Sequence, residues 1–183
     1  MTPVDTLTRL AHEARSGDDL ALQALVSASY EQVWRLCRHL VDNQTADDLA
    51  QDTFLRAVRA LPRFRGEASA RTWLLSIARH ACLDELRRRT RRRNHHRDHG
   101  SSGGEPVVAD ASEVPIVRDL IAQLKPERRI VFVLTQVIGL SYDEAAEVCQ
   151  CPSGTIRSRL ARARSDLLEL MASTVTTRSQ QAT

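Results

Sequence analysis

Residues with the chemistry to read DNA are concentrated in one predicted helix near the C-terminus, over residues 154–168. At about 100° per residue, one side of this helix is an apolar stripe suited to packing. The opposite side carries guanidinium groups and short side chains, namely Arg157, Ser158, Ala161, Arg162 and Ser165. Arginine and serine can hydrogen-bond to base edges in a major groove. The first turn, at Gly154 and Thr155, presents backbone amides that suit a phosphate.

The residues before this helix predict a helix-turn-helix. Ser141 and Glu144 fit a capping box, which starts a short helix that runs through Val148. Residues 150–152, which include a proline, then interrupt the helical pattern before the basic helix. A scaffold helix is expected before this unit, over about 125–138. This order is typical of DNA-binding helix-turn-helix units. The alternative, a surface helix whose arginines are merely solvated, explains the basic helix but leaves the capped helix upstream unexplained.

A predicted helix that starts near Thr45, its expected N-cap, carries a second group of polar residues. Leu55 falls in the middle of its polar side, among Asp48, Gln51 and Asp52. An apolar side chain framed by acidic and amide groups suits docking of a protein partner. Single exposed leucines are also common on protein surfaces, and Leu55 by itself favours that simpler interpretation.

A loop at residues 63–69 precedes a further predicted helix, 70–89, and brings Phe64 between two arginines. Aromatic rings and guanidinium groups together bind unstacked bases of single strands. The helix ends in two arginine triplets, 87–89 and 91–93, which can hold phosphate. The alternatives are that Phe64 and Trp73 belong to the core and that the arginines only begin a solvated linker.

The elements that position these residues are predicted to be helices throughout. The sequence has 183 residues, 42% hydrophobic residues and a net charge of +3, and it shows no run of alternating strands. We expect an all-α chain with one helical domain at 4–90, a flexible linker at 91–112, a second helical domain at 113–172 and a tail at 173–183. The scattered cysteines and the lack of a signal peptide or an apolar span of about 18 residues predict a cytoplasmic protein.

Signals for metal binding and for enzyme chemistry are weak. His95, His96 and His99 lie in the predicted linker, and Cys149 and Cys151 are separated by a single residue, so neither set has the spacing of a zinc site. Phosphate loops, zinc-protease motifs and nucleophile elbows do not occur in the sequence. We therefore predict no metal, no cofactor and no catalytic residue.

Three segments together resemble the extracytoplasmic-function sigma factors of bacterial RNA polymerase. They are DDLAQDTFLRA at 47–57, RFRGEASARTWLLSIARHACLDELRR at 63–88 and GLSYDEAAEVCQCPSGTIRSRLARAR at 139–164. The resemblance covers about 18–170, and three motifs in this order are far more specific than any one of them. It implies a region 2-like domain and a region 4-like helix-turn-helix domain.

The resemblance also implies roles for individual residues. The first motif would dock on the β′ subunit of core RNA polymerase, which revises the interpretation of Leu55; the residues are Asp48, Gln51, Asp52 and Leu55. The second would melt and read the minus-ten element through Phe64, Arg65, Ser69, Arg79, His80 and Arg87. The third would read the minus-thirty-five element through Gly154, Thr155, Arg157, Ser158, Ala161 and Arg162.

The implied partners are core RNA polymerase, through its β and β′ subunits, and promoter DNA, with no direct membrane contact. Members of this family usually have an anti-sigma factor, although some lack one. Two small modules on a tether would bind DNA weakly alone and tightly when polymerase holds both. The competing hypotheses are a helix-turn-helix repressor or activator with an N-terminal partner-binding domain, and an RNA-binding or other interaction module that uses the arginine runs.

Overall fold

In a computed structural model the chain is helical, and it divides into two compact units. Secondary structure is described for residues 3–98 and 114–181, and side-chain surroundings for 6–92 and 117–173. Within those residues there is no strand. The all-α prediction with two helical domains is therefore confirmed. None of the helices described is long and apolar enough to cross a membrane.

The first unit contains four helices: α1 (Pro3–Arg15), α2 (Asp19–Leu40), α3 (Asn43–Ala60) and α4 (Ala70–Asp98). A short 3-10 turn, Leu61–Arg63, leads from α3 into the loop before α4. Helix α2 packs against each of the other three. The core between them is aliphatic, with fully buried Leu36, Leu40, Leu74 and Leu75. Burial of such side chains stabilises a unit of this size by roughly 1.5–3 kcal/mol each.

Aspartates start both α2 and α3. Asp18 accepts a hydrogen bond from the Ala21 amide, and Asp42 accepts one from the Thr45 amide at 2.9 Å. A carboxylate at this position satisfies an amide that the helix itself leaves without a partner. The prediction that Thr45 is the N-cap is wrong, because α3 begins two residues earlier and Thr45 lies in its first turn.

The second unit contains α5 (Val114–Gln123), α6 (Pro126–Phe132), most of α7 (Tyr142–Cys149) and α8 (Ser153–Gln181). The predicted capping box is present: the Glu144 amide donates to Ser141 Oγ, and the Ser141 amide donates to Glu144 Oε2 at 2.8 Å. Gln150, in the turn between α7 and α8, has a φ of 53°, the left-handed conformation that ends α7 sharply. The helix-turn-helix is thus formed by α7 and α8.

Several helix lengths differ from the sequence prediction. The predicted scaffold helix is α6 followed by a π-helical turn, Val133–Val137. Helix α8 continues to Gln181, and α4 continues to Asp98, so the first residues of the predicted linker are helical. Periodicity fixes the buried face of a helix better than its end. Residues 99–112 of the predicted linker, which include His99, lie outside the residues that the structure describes, as does residue 113.

Candidate functional site

The polar face of α3 brings together all four residues predicted to dock on polymerase. Asp48, Gln51 and Leu55 are exposed and Asp52 is half-buried, because Ala46, Ala50 and Ala57 pack on the other side of the helix. Leu55 is 59% exposed. Asp52 pairs with Arg56 at 2.8 Å, and Arg56 also reaches Asp84 of α4 at 3.6 Å. The result is an exposed apolar side chain among acidic and amide side chains, which we call the α3 patch (Asp48, Gln51, Asp52 and Leu55).

Sequence reasoning missed a neighbour of this patch on α2. The indole Nε1 of Trp34 donates to Asp47 Oδ1 at 2.7 Å, and the Arg38 guanidinium lies 4.9 Å from the centroid of the Trp34 ring. The hydrogen bond joins α2 to α3, while the contact between Arg38 and Trp34 lies within α2. The only signal in the sequence is a tryptophan in a helical segment, and a tryptophan is assigned to the core until the packing of the helices is known.

An ion-pair network anchors the start of α3 to α4. Arg89 reaches Asp42 Oδ2 at 2.6 Å and Glu85 Oε1 at 2.8 Å. Burial by itself would raise the pKa of Asp42, but the hydrogen bond from the Thr45 amide and the contacts with Arg89 outweigh it and hold this pKa at about 2. The carboxylate therefore stays ionised, and its ion pair with Arg89 holds the start of α3 against α4.

The structure of the loop before α4 contradicts one prediction from the sequence. Phe64, predicted to help capture a base, is only 5% exposed. Its ring centroid lies 4.9 Å from that of Trp73 and 5.3 Å from that of His12. A ring enclosed in this way has no free face for a base, so the alternative that Phe64 belongs to the core is the one that fits. Its role is to fix the loop to the bundle.

The other loop residues predicted to contact the minus-ten element are accessible. Arg65 is exposed and lies 3.8 Å from Glu67, a loose pair that water screens. Ser69 is half-buried, and its Oγ accepts a hydrogen bond from the Thr72 amide at 3.1 Å, which caps α4. The loop thus presents an exposed cation at Arg65 and a hydroxyl at Ser69 that is held by Thr72, while Phe64 is buried.

Helix α4 carries the remaining predicted minus-ten residues along one side. His80 and Arg87 are exposed, and Arg79 is half-buried with no hydrogen-bond partner for its Nε within the described side chains. Arg87 lies 3.7 Å from Asp84, at an open cleft that is otherwise basic. The residues lining this cleft are Asp84, Arg87, Arg88, Arg91 and Arg92. A surface of this kind attracts phosphate.

Helix α8 has the two faces that its sequence predicts. Ile156, Leu160 and Ala163 are buried, and the opposite face is exposed at Arg157, Ser158, Ala161 and Arg162. At the start of α8, Gly154 is exposed and Thr155 is half-buried. The face that could enter a major groove is therefore accessible over two turns.

Contacts within the second unit hold this face in place. The Arg157 guanidinium lies 5.9 Å from the centroid of the Tyr142 ring, the first residue of α7. Arg164 donates to the side-chain oxygen of Gln136 at 3.1 Å, and Arg128 of α6 pairs with Asp166 of α8. Tyr142 and Gln136 were not among the predicted residues, since periodicity places them on surfaces without showing what they touch.

Metal ligation has no support within the described residues, where no group of three or more candidate ligands meets. Cys149 is buried and Cys151 is half-buried. The side chains of His95 and His96 lie outside the described part of the chain.

Two family comparisons match these two units. Residues 25–92 match Sigma-70 region 2, and residues 116–167 match Sigma-70 region 4. A four-helix unit of the first kind followed by a helix-turn-helix of the second defines the sigma-70 class of transcription initiation factors.

Individual relatives identify the family within this class. The chain is 45% identical over 167 residues to the probable RNA polymerase sigma-C factor of Mycobacterium bovis, with 90% of each chain covered. It is 31% identical to the ECF RNA polymerase sigma-E factor of Escherichia coli, covering 85% of this chain and 88% of that one. The chain belongs to the extracytoplasmic-function RNA polymerase sigma factors.

Solved structures with a similar fold agree with this family assignment. CnrH, in complex with the cytosolic domain of CnrY, is similar with a TM-score of 0.73 at 27% identity, covering 92% of this chain and 98% of that one. The sigma factor RpoE from Bartonella quintana, in complex with the anti-sigma factor NepR, has a TM-score of 0.69 at 26% identity, covering 82% and 96%.

Family membership establishes the activity. The chain binds core RNA polymerase, directs it to promoters by reading minus-ten and minus-thirty-five elements, and promotes melting and initiation. The comparisons favour this function over that of a helix-turn-helix repressor or activator.

Proposed function

We propose that this sigma activity is divided among three surfaces, the first of which is the α3 patch. Asp48, Gln51, Asp52 and Leu55 dock on polymerase, with Leu55 as the apolar anchor. The observation that carries this proposal is the 59% exposure of Leu55 among the polar side chains of Asp48, Gln51 and Asp52. A few residues near the centre of a protein interface usually carry most of its binding energy, and the groups around them exclude water.

The second surface reads the minus-ten element. Arg65 and Ser69 of the loop contact the flipped base, Arg79 and His80 contact neighbouring bases, and Arg87 holds a phosphate. Support comes from the exposure of Arg65, His80 and Arg87 and from the hydroxyl of Ser69 at the start of α4. Phe64 is not part of this contact set, because its ring is buried.

The third surface reads the minus-thirty-five element. Arg157, Ser158, Ala161 and Arg162 face the bases, while Gly154 and Thr155 hold a phosphate at the start of α8. The exposed face of α8 and the buried stripe opposite support this assignment. Ala161 can contribute only an apolar contact, such as one to a thymine methyl.

The chain acts as one region 2-like domain at 4–90 and one region 4-like domain at 113–172, joined by the segment between them. It works in the cytoplasm and supplies no catalytic group, so the chemistry of RNA synthesis belongs to polymerase. An anti-sigma factor regulates it. Support for the last point is that RpoE from Bartonella quintana, a structural neighbour, is found in complex with the anti-sigma factor NepR.

Run-off transcription with purified core polymerase tests the proposal. The wild-type chain gives a defined start site with no other sigma factor present. Leu55→Glu removes transcription and polymerase binding together. Leu20→Glu is the matched control, because Leu20 is 76% exposed on α2 and lies outside the α3 patch. Equal binding of core polymerase by wild type and Leu55→Glu would refute the docking assignment.

A further inference from the structure

Helix α1 contacts the loop between α3 and α4 at both ends of the loop and in the middle of the loop. Arg15 Nη1 donates to the backbone carbonyl of Phe64 at 2.7 Å, where the loop begins. Thr8 Oγ1 accepts from the Ala70 amide at 3.0 Å, where the loop ends. Each of these contacts holds main-chain atoms of the loop, in addition to the packing of the Phe64 side chain.

The middle of the loop rests on His12. Gly66 has a φ of +74°, and a Cβ at this position would lie 2.6 Å from His12 Nε2. The same imidazole ring lies against the ring of Phe64. The backbone of the loop therefore approaches α1 more closely than a residue with a side chain would allow.

These three side chains share one side of α1. Residues 8, 12 and 15 fall within one helical stripe, beside the buried stripe of Leu7, Ala11 and Ala14. A helix that was only filling the core would not need three polar groups in a row, each aimed at the same loop. The polar stripe of α1 thus has a single target.

We propose that α1 is a positioning element for minus-ten recognition: Thr8, His12 and Arg15 hold the loop in the shape that presents Arg65 and Ser69 to a base. This inference rests on the proposed role of the loop as the base reader. It extends that role to residues that touch no DNA themselves. Their removal should change which base is accepted while leaving polymerase docking intact, because the α3 patch makes no use of these contacts.

The test uses holoenzyme made from the full chain and core polymerase, transcribing a promoter library randomised at the minus-ten and minus-thirty-five elements. Arg15→Met removes the donor and keeps the aliphatic stem, and Thr8→Val removes the acceptor and keeps the shape. We expect each to lower discrimination among minus-ten bases by about three- to tenfold, the loss of one hydrogen bond that orders the loop. Affinity for core polymerase should stay within about twofold of wild type.

Conservative variants and a matched control separate positioning from general damage. Arg15→Lys and Thr8→Ser keep the hydrogen-bonding group and should restore most of the discrimination. Arg9→Met makes the same substitution on α1 at an exposed residue that pairs with Glu13, and it should transcribe like wild type. Thermal unfolding confirms that each variant is folded, and the use of variants at opposite ends of the loop protects the test from the failure of one to fold.

Different failures have different meanings. If Arg65→Ala and Ser69→Ala lose discrimination while Arg15→Met and Thr8→Val keep it, the inference about α1 is overturned and the loop remains the reader. Loss of polymerase binding in the α1 variants would also overturn it, since α1 would then be a general support. Wild-type discrimination in Arg65→Ala and Ser69→Ala would instead reject the proposed function of the loop.

Discussion

The Arg157 guanidinium lies 5.9 Å from the centre of the Tyr142 ring, so the first residue of α7 supports the exposed face of α8. A cation over an aromatic ring is stabilised by about 0.5–1 kcal/mol at an exposed site. The two helices of the helix-turn-helix are therefore coupled at the side chain proposed to read a base.

Replacing Tyr142 should affect how holoenzyme recognises one part of the minus-thirty-five element. Tyr142→Leu removes the ring beneath Arg157 and should weaken promoter binding by holoenzyme about two- to fivefold. Tyr142→Phe keeps the ring and should bind like wild type. Competition between promoters substituted one base at a time measures the effect, which should fall on the bases nearest Arg157. Equal loss in the two variants would mean that the tyrosine hydroxyl matters and the ring does not.

Phe64 should behave as a core residue. Phe64→Leu is expected to lower the free energy of unfolding by about 1–2 kcal/mol, and Phe64→Ala by about 3–5 kcal/mol, because each leaves a cavity beside Trp73. Chemical denaturation of the full chain measures both. At a temperature where Phe64→Leu is fully folded, promoter melting should be close to wild type. A folded Phe64→Leu that cannot melt promoters would restore the ring to the list of base contacts.

Asp42 should make stability depend on pH in the acid range. Its pKa falls from the usual 3.8 to about 2 in the folded chain, so the ionised form is the stabilising one. That stability is present above about pH 4 and is lost as the pH falls towards 2. Asp42→Asn keeps the helix cap but removes the charge that faces Arg89.

Unfolding of the two proteins at a series of pH values measures the contribution of this charge. Wild type should exceed Asp42→Asn by about 1–2 kcal/mol at pH 5, a value reduced by partial exposure of the carboxylate. The gap should close near pH 2. A gap that stays constant across this range would show that the charge of Asp42 contributes nothing.

The pair between Arg128 and Asp166 should stabilise the helix-turn-helix unit. Its Nη1 to Oδ1 distance is 2.7 Å, and both side chains are less than a third exposed. Arg128→Met and Asp166→Asn should each destabilise the unit by about 1–3 kcal/mol, and the double variant should cost less than the sum. Amide hydrogen exchange in α6 and α8 reports this unit separately. Additive losses would show that the two side chains do not interact.

Local pattern predicted the surfaces that a single helix forms. The reading face of α8, the capping box at Ser141 and the exposure of Leu55 all follow from residue spacing along one helix. Phe64 could not be placed in this way, because an aromatic residue in a loop reads equally as a base contact or as core. The contacts of Thr8 and Arg15 join residues far apart in sequence, and only the packing of α1 on the loop brings them together.

Errors at helix starts have a similar cause. Thr45 and Asp42 are both good capping residues, and the ion pair between Asp42 and Arg89 helps decide between them. Arg89 lies on α4, so the choice depends on tertiary structure. The length of α8 beyond residue 168 could not be predicted either, because the apolar periodicity fades in the polar tail.

Both tryptophans of the chain lie in the first unit, and each stands beside a different proposed surface. Trp34 donates to Asp47 next to the α3 patch, while Trp73 supports Phe64 under the loop. The chain thus carries two intrinsic fluorophores in informative places. With Trp73→Phe the remaining tryptophan emission of the chain reports the surroundings of the α3 patch, and with Trp34→Phe it reports the packing beneath the loop, so the two surfaces can be followed separately without an attached dye.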